Sequence, residues 1–100
     1  MIIEHAIFRI KLGQEAAFEK AFPNAIPHIA GSPGFVSLEM ARSVEKASTY
    51  HLLVRWGTVE DHMVTFRNSD AFKKWRDVVG PFFADQPPEV EHFHAPFAKT

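Results

Sequence analysis

Thr49-Tyr50-His51-Leu52-Leu53-Val54-Arg55-Trp56-Gly57-Thr58-Val59-Glu60-Asp61-His62-Met63-Val64-Thr65-Phe66 changes its period part-way along. Up to Trp56 the residues alternate, with Tyr50, Leu52, Val54 and Trp56 set against His51, Leu53 and Arg55. Alternation of this kind reads as a strand with one buried face. Beyond Gly57 the step becomes three and four, placing Val59, His62, Met63 and Phe66 on one side of a helix. Thr58 fits the N-cap of that helix, with Asp61 three residues on as a variant capping box.

The same two periods recur on either side. Residues 2–10 alternate, Ile3, His5, Ile7 and Arg9 against Glu4, Ala6, Phe8 and Ile10. Residues 14–30 carry a helical stripe of Phe18, Ala21, Phe22, Ala25, Ile26 and Ile29, interrupted by Pro23 and Pro27. An internal proline removes a backbone hydrogen bond, so a kink or a restart is expected there. Gly31-Ser32-Pro33-Gly34 marks a turn into a strand over 35–42, with Val36, Leu38 and Met40 on one side. The polar link to residues 49–56 is short enough for an antiparallel hairpin. Ser69 is placed to cap a further helix whose buried stripe is Phe72, Trp75, Val79 and Phe82 or Phe83. Gln86-Pro87-Pro88 stops it, and residues 89–97 alternate as a last strand. The order β-α-β-β-α-β predicts an α+β, ferredoxin-like fold, a four-stranded antiparallel sheet with helices on one face.

One hundred residues fit one domain spanning 1–100. With 46% hydrophobic residues and ten Phe the chain can build a core. Eleven basic residues stand against twelve acidic ones, which argues against nucleic-acid binding. The absence of cysteine excludes disulfides, thiolate metal sites and a thiol nucleophile. No apolar run approaches the length of a membrane span, so no membrane partner is expected and a cytoplasmic location is the default. No phosphate-loop, dinucleotide, hydrolase-elbow or zinc-helix motif occurs.

The sheet face away from the helices also carries apolar residues, for which Ile3, Ile7, Leu53 and Val90 are the candidates. Such a face is costly to leave wet, and a homodimer packed sheet to sheet is expected to cover it. His5, Arg9, Arg55 and Glu39 are expected to pair across that interface. The strand histidines His5, His51, His92 and His94 bear on metal binding, because His5, His51 and His92 approach one another if the first, third and last strands are neighbours. Their local spacing supplies at most His-x-His, short of the three converging groups a metal needs, so no metal site is expected.

Three stretches are similar to the antibiotic biosynthesis monooxygenase family, a set of dimeric α+β barrels. They are Lys11-Leu12-Gly13-Gln14, Pro33-Gly34-Phe35, and Leu52-Leu53-Val54-Arg55-Trp56 followed by the capped helix. The likeness continues through Glu60, His62, Phe66, Ser69, Phe72, Trp75 and Pro81-Phe82-Phe83 to Pro87-Pro88-Glu89-Val90-Glu91-His92-Phe93. It implies a dimer whose pockets lie between sheet and helices. It also implies oxygenation of quinol or anthrone-like aromatics without metal or flavin, the deprotonated substrate supplying the electrons. A haem-degrading branch of this fold needs an Asn on the first strand, a Trp in the second helical region and a His ligand. Anchored on Gly13 and Asn68-Ser69-Asp70, those positions are Ala6, Phe66 and Arg76, so the resemblance does not extend to haem.

Such chemistry needs a base, an apolar pocket and donors for an oxyanion. His62 is the candidate catalytic base or donor, because its spacing to Val59 and Phe66 turns it toward the sheet. Phe8, Phe22, Phe66, Phe72 and Trp75 are candidate walls for a small aromatic or hydrophobic ligand, with the Trp75 N–H as a donor. Arg76, with Arg67, is a candidate anion contact. The alternative is a non-catalytic binding module or a small stress-related dimer whose own phenylalanines fill the pocket.

Overall fold

The computed structural model describes residues 1–100. Four strands, β1 (Ile2–Arg9), β2 (Phe35–Arg42), β3 (Thr49–Trp56) and β4 (Glu89–His94), form one antiparallel sheet in the order β2-β3-β1-β4. Helices α1 (Glu15–Ala21), α2 (Ile26–Ala30) and α3 (Asp70–Val79) supply the apolar stripes that pack on one side of it. The proline interruption is resolved as a restart. Pro23 lies in a 3-10 turn, Phe22–Asn24, that ends α1, and Pro27 sits in the first turn of α2, where a missing N–H costs nothing.

Alternation on the central strands sorts their side chains cleanly. Ala6 and Phe8 of β1 and Tyr50, Leu52, Val54 and Trp56 of β3 are buried with Phe18, Ile29, Phe66, Trp75 and Val79 from the helical side. Phe18 is enclosed by edge-on contacts with Phe8, Tyr50 and Phe82, the geometry aromatic quadrupoles favour. The face without helices carries Ile3, His5, Ile7 and Arg9 of β1 beside His51, Leu53 and Arg55 of β3.

Three expectations from the alternation need correction. Val90 lies opposite Ala6 and lines the helical side, so the open face gains Phe93 instead, opposite Ile3. Val36 falls in an irregularity between Phe35 and Ser37 and is 54% exposed, while Phe35 packs edge-on against Trp56. A bulge of this kind inserts one residue out of step with the pleat, which a strict two-residue period cannot anticipate. Within one chain Arg9 lies 3.2 Å from Glu89 and Arg55 3.9 Å from Glu39, contacts that leave pairing across a dimer open. The last strand ends at His94, short of residue 97.

After β3 the chain turns under close constraint. Gly57 N–H donates to the Gly34 carbonyl at 2.8 Å. The capping box forms as expected, Thr58 N–H to Asp61 Oδ2 at 2.9 Å and Asp61 N–H to Thr58 Oγ1 at 3.1 Å. Residues Asp61–Phe66 then wind as a π-helix, not as the α-helix that the spacing predicts. The wider turn still buries His62 and Phe66 but leaves Val59 and Met63 more than a third exposed. Ser69 then caps α3 by accepting from Phe72 N–H at 3.2 Å.

Gly34 adopts a φ of +81°, and a Cβ there would overlap the Asp61 side chain that serves the capping box. Gly13, at φ +85°, faces open space. Gly34→Ala is therefore expected to lower stability by about 2–4 kcal/mol, and Gly13→Ala by about 1–2 kcal/mol, in urea unfolding. Equal losses at the two positions would show that the Asp61 contact carries no weight.

Candidate active site

β1 places a carboxylate where its neighbours are hydrocarbon. Glu4 is 4% exposed, two residues before Ala6 on the helical face, opposite Val54 on β3 and His92 on β4. Its Oε1 accepts the Trp56 Nε1–H at 2.9 Å. Trp56 is fully buried, and its indole N–H needs an acceptor that Glu4 supplies. His62, 3% exposed, comes from the π-turn with its Nε2 3.3 Å from the same Oε1. Its imidazole stacks on Trp56 with 5.4 Å between ring centroids and 18° between planes. On its other side His62 Nδ1 shares a 2.9 Å hydrogen bond with Nε2 of the half-buried His92. Trp56, Glu4, His62 and His92 thus form a continuous polar line through an apolar layer.

Burial sets the charges along it. Desolvation pushes the Glu4 carboxyl up from 4.5 to about 7, against the opposing pull of the Trp56 N–H and the Arg67 charge. Desolvation, then the neighbouring His92 and Arg67, holds the His62 imidazole down at about 4. His92 is also lowered, first by burial and then by Arg67. At neutral pH the line holds a neutral imidazole and a carboxyl poised between its two forms, not a carboxylate–imidazolium pair.

Glu4 borders a cavity of about 470 Å³ between the sheet, α3 and the segment after α3. Ala6, Phe8, Ile29, Leu52, Phe66, Phe72, Trp75, Val79, Phe83 and Val90 make its apolar wall. The charged groups on it are Glu4, Arg67 and Arg76. The volume falls in the range of small-molecule sites. Trp75 is 6% exposed, and its indole forms part of the cavity wall.

Of the residues expected at a site, Phe8, Phe66, Phe72, Trp75 and Arg76 share this cavity. Phe22 does not. It is a core residue whose ring meets Trp75 edge-on at 5.8 Å. His62 stands behind Glu4 and is not on the cavity wall. The strand histidines separate. His5 Nε2 and His51 Nδ1 lie 2.8 Å apart on the open face, while His92 joins His62 on the other side of the sheet and His94 ends β4 exposed. The expected approach of His92 to His5 and His51 fails because one strand position separates the two faces. No three His, Asp or Glu side chains converge as metal ligands. Residue spacing does not single out Glu4 as a site residue, although a carboxylate in register with Ala6, Phe8 and Ile10 is the available signal.

A model of the antibiotic biosynthesis monooxygenase family matches residues 1–78. The chain belongs to this family. The uncharacterised Bacillus subtilis (strain 168) protein YczJ is 39% identical over 93 residues, which cover 93% of this chain and 97% of that protein. A candidate antibiotic biosynthesis monooxygenase from Bordetella bronchiseptica shares 38% identity and superposes with a TM-score of 0.91 over 96% of this chain and 97% of its own. SnoaB, a cofactor-independent oxygenase from Streptomyces nogalater, shares the fold, with a TM-score of 0.79 at 20% identity over 97% and 94% of the two chains. Within the family match lie Glu4, His62, Arg67, Trp75 and Arg76, whereas Phe83, Val90 and His92 follow it. No helix is long and apolar enough to cross a membrane.

The two buried titrations act on stability with opposite sign. Between about 4.5 and 7 the folded chain keeps the Glu4 proton that the unfolded chain releases, so stability falls as pH rises. Between about 4 and 6.5 the unfolded chain binds a proton at His62 that the folded chain refuses, so stability rises with pH. The effects nearly cancel where the windows overlap. With the Glu4 titration removed, the Glu4→Gln variant is expected to show only the His62 slope, its own stability rising with pH across 4–6.5 by about 3 kcal/mol. The His62→Gln variant is expected to show only the Glu4 slope, its own stability falling by a similar amount across 4.5–7. Denaturant unfolding at stepped pH reads both slopes, and parallel pH profiles would contradict a neutral His62 beside a half-ionised Glu4.

Proposed function

We propose that the protein is a cofactor-independent monooxygenase for a small planar phenol or anthrone-like aromatic. One observation carries this reading: a buried carboxylate with its acidity matched to neutral pH borders an apolar cavity large enough for a ring system. General-base efficiency is greatest when the catalytic group titrates near the working pH. Glu4 meets that condition, and it replaces His62 as the group facing the ligand. An imidazole held at about 4 is a weak base at neutral pH, and His62 does not touch the cavity.

In this reaction Glu4 takes the proton from the activated position of the substrate. The resulting anion is electron-rich and reduces O2 directly, and a C–O bond forms. Cleavage of the O–O bond leaves a carbonyl where a CH2 stood. One oxygen atom stays on carbon, and the other departs with the two hydrogens as water. The Trp75 N–H is the donor we assign to the negative charge on the substrate oxygen, because Trp75 lines the same cavity as Glu4. His62 and His92 give the proton on Glu4 a path away from the cavity. A proton entering His62 at Nε2 releases one from Nδ1 to His92, and only a neutral His62 permits that exchange. The cavity stays open although Phe8, Phe66, Phe72 and Phe83 stand on its wall, which disfavours a pocket plugged by its own side chains.

Oxygen consumption with anthrone and a panel of hydroquinones tests this function. Glu4→Gln is expected to lower the rate at least about 100-fold. In the unsubstituted protein, kcat/KM should rise with pH through about 7 as Glu4 ionises. Ligand binding without oxygen uptake across the panel would instead favour the non-catalytic module.

We also infer a homodimer formed through the open sheet face. Ile7 and Leu53 are only half-covered there, and Phe93 is 39% exposed. Sedimentation equilibrium should give twice the 11.4 kDa chain mass, and Leu53→Glu should return the mass to one chain. A single-chain mass for the unsubstituted protein at micromolar concentration overturns the dimer.

A further inference from the structure

The chain has five arginines, and they divide sharply. Arg9, Arg42 and Arg55 each face a glutamate, Glu89, Glu19 and Glu39 respectively. Arg67 and Arg76 have no carboxylate partner, and these are the two arginines on the cavity wall. Both guanidinium carbons lie over the Phe72 ring, at 5.9 Å for Arg67 and 5.7 Å for Arg76. Phe72 is itself a cavity residue. The arginines come from two elements, the end of the π-turn and the last turn of α3, yet converge on one ring.

We infer that Arg67 and Arg76 form a subsite for a carboxylate borne by an aromatic ligand. The inference rests on the reading of this cavity as the seat of a planar aromatic. A ring lying against Phe72 and Trp75 places an acidic substituent within reach of two guanidinium groups that no protein carboxylate already occupies. A guanidinium offers paired N–H donors in a plane, the geometry that matches a carboxylate. The third charged group on the wall, Glu4, carries at most one negative charge against their two positive ones. An anion entering this cavity therefore meets net positive potential in a chain whose formal net charge is -1. The ligand so defined has two polar ends, an acid held by the arginines and a phenolic or activated position at Glu4.

The test uses equilibrium binding, read by Trp fluorescence, with 1-naphthoate and its uncharged methyl ester as probes. The unsubstituted protein is expected to bind the acid at least about tenfold more tightly than the ester, with an affinity that weakens as salt rises. In the double variant Arg67→Gln, Arg76→Gln, the acid should lose that advantage while ester binding is unchanged, which also reports an intact cavity. Equal affinities for acid and ester, a preference that survives the double substitution, or no saturable binding of the acid at millimolar concentration would each overturn the subsite. Because no turnover is involved, the outcome is separate from that of the oxygen assay. Selective binding without oxygen uptake keeps the subsite and removes the oxygenase, and oxygen uptake with unselective binding does the reverse.

Discussion

Placing the Glu4 carboxyl on the buried face of the central strand constrains most of what surrounds it. A carboxyl removed from water must find donors or stay protonated. Trp56 gives it one N–H from the neighbouring strand, and His62 approaches the same oxygen from the π-turn. Those two partners are also stacked on each other, so the polar contact and the packing of the two rings fix one geometry. Tightening any one of the three against the sheet moves the other two. The cavity wall begins where this cluster ends, so the side of Glu4 that borders the cavity inherits its position from the core.

Charge in the cavity follows a simple gradient. The deep end holds Glu4, whose ionised form is disfavoured by burial, and the mouth holds the two exposed guanidinium groups of Arg67 and Arg76. Arg67 links the two zones, since its field favours the Glu4 carboxylate and disfavours a proton on His62 and His92. A base at the bottom of an apolar cavity usually becomes too reluctant to ionise. A nearby fixed cation limits that effect and keeps the group near neutrality.

Much of the architecture was legible in the residue pattern. The period of two marked the core faces of β1 and β3, the capping residues Thr58 and Ser69 formed the bonds expected of them, and the paired prolines marked the break between α1 and α2. Irregular backbone escaped that pattern. A bulge at Phe35–Ser37 carries Val36 out to solvent, and a π-turn has no periodicity of its own over six residues. The site was half visible. Aromatic residues at helical spacing announced a wall but not which of them would leave a hollow, so Phe22 and Phe66 looked alike. Glu4 was hidden by its type, because a charged residue in an alternating strand is ordinarily assigned to solvent. Strand adjacency alone groups His92 with His5 and His51, but its register opposite Glu4 puts it on the other side of the sheet, beside His62.

The π-turn has one more consequence. Its Arg67 N–H closes on the His62 carbonyl at 3.1 Å, a span of five residues where an α-helix spans four. Each residue turns a helical backbone by about 100°, so deleting a position between His62 and Phe66 would change the angle between the imidazole beside Glu4 and the Phe66 and Arg67 side chains on the cavity wall. The approach of His62 to Glu4 is thus set by main-chain pitch. Its alignment is a property of spacing, and no single side chain holds it alone.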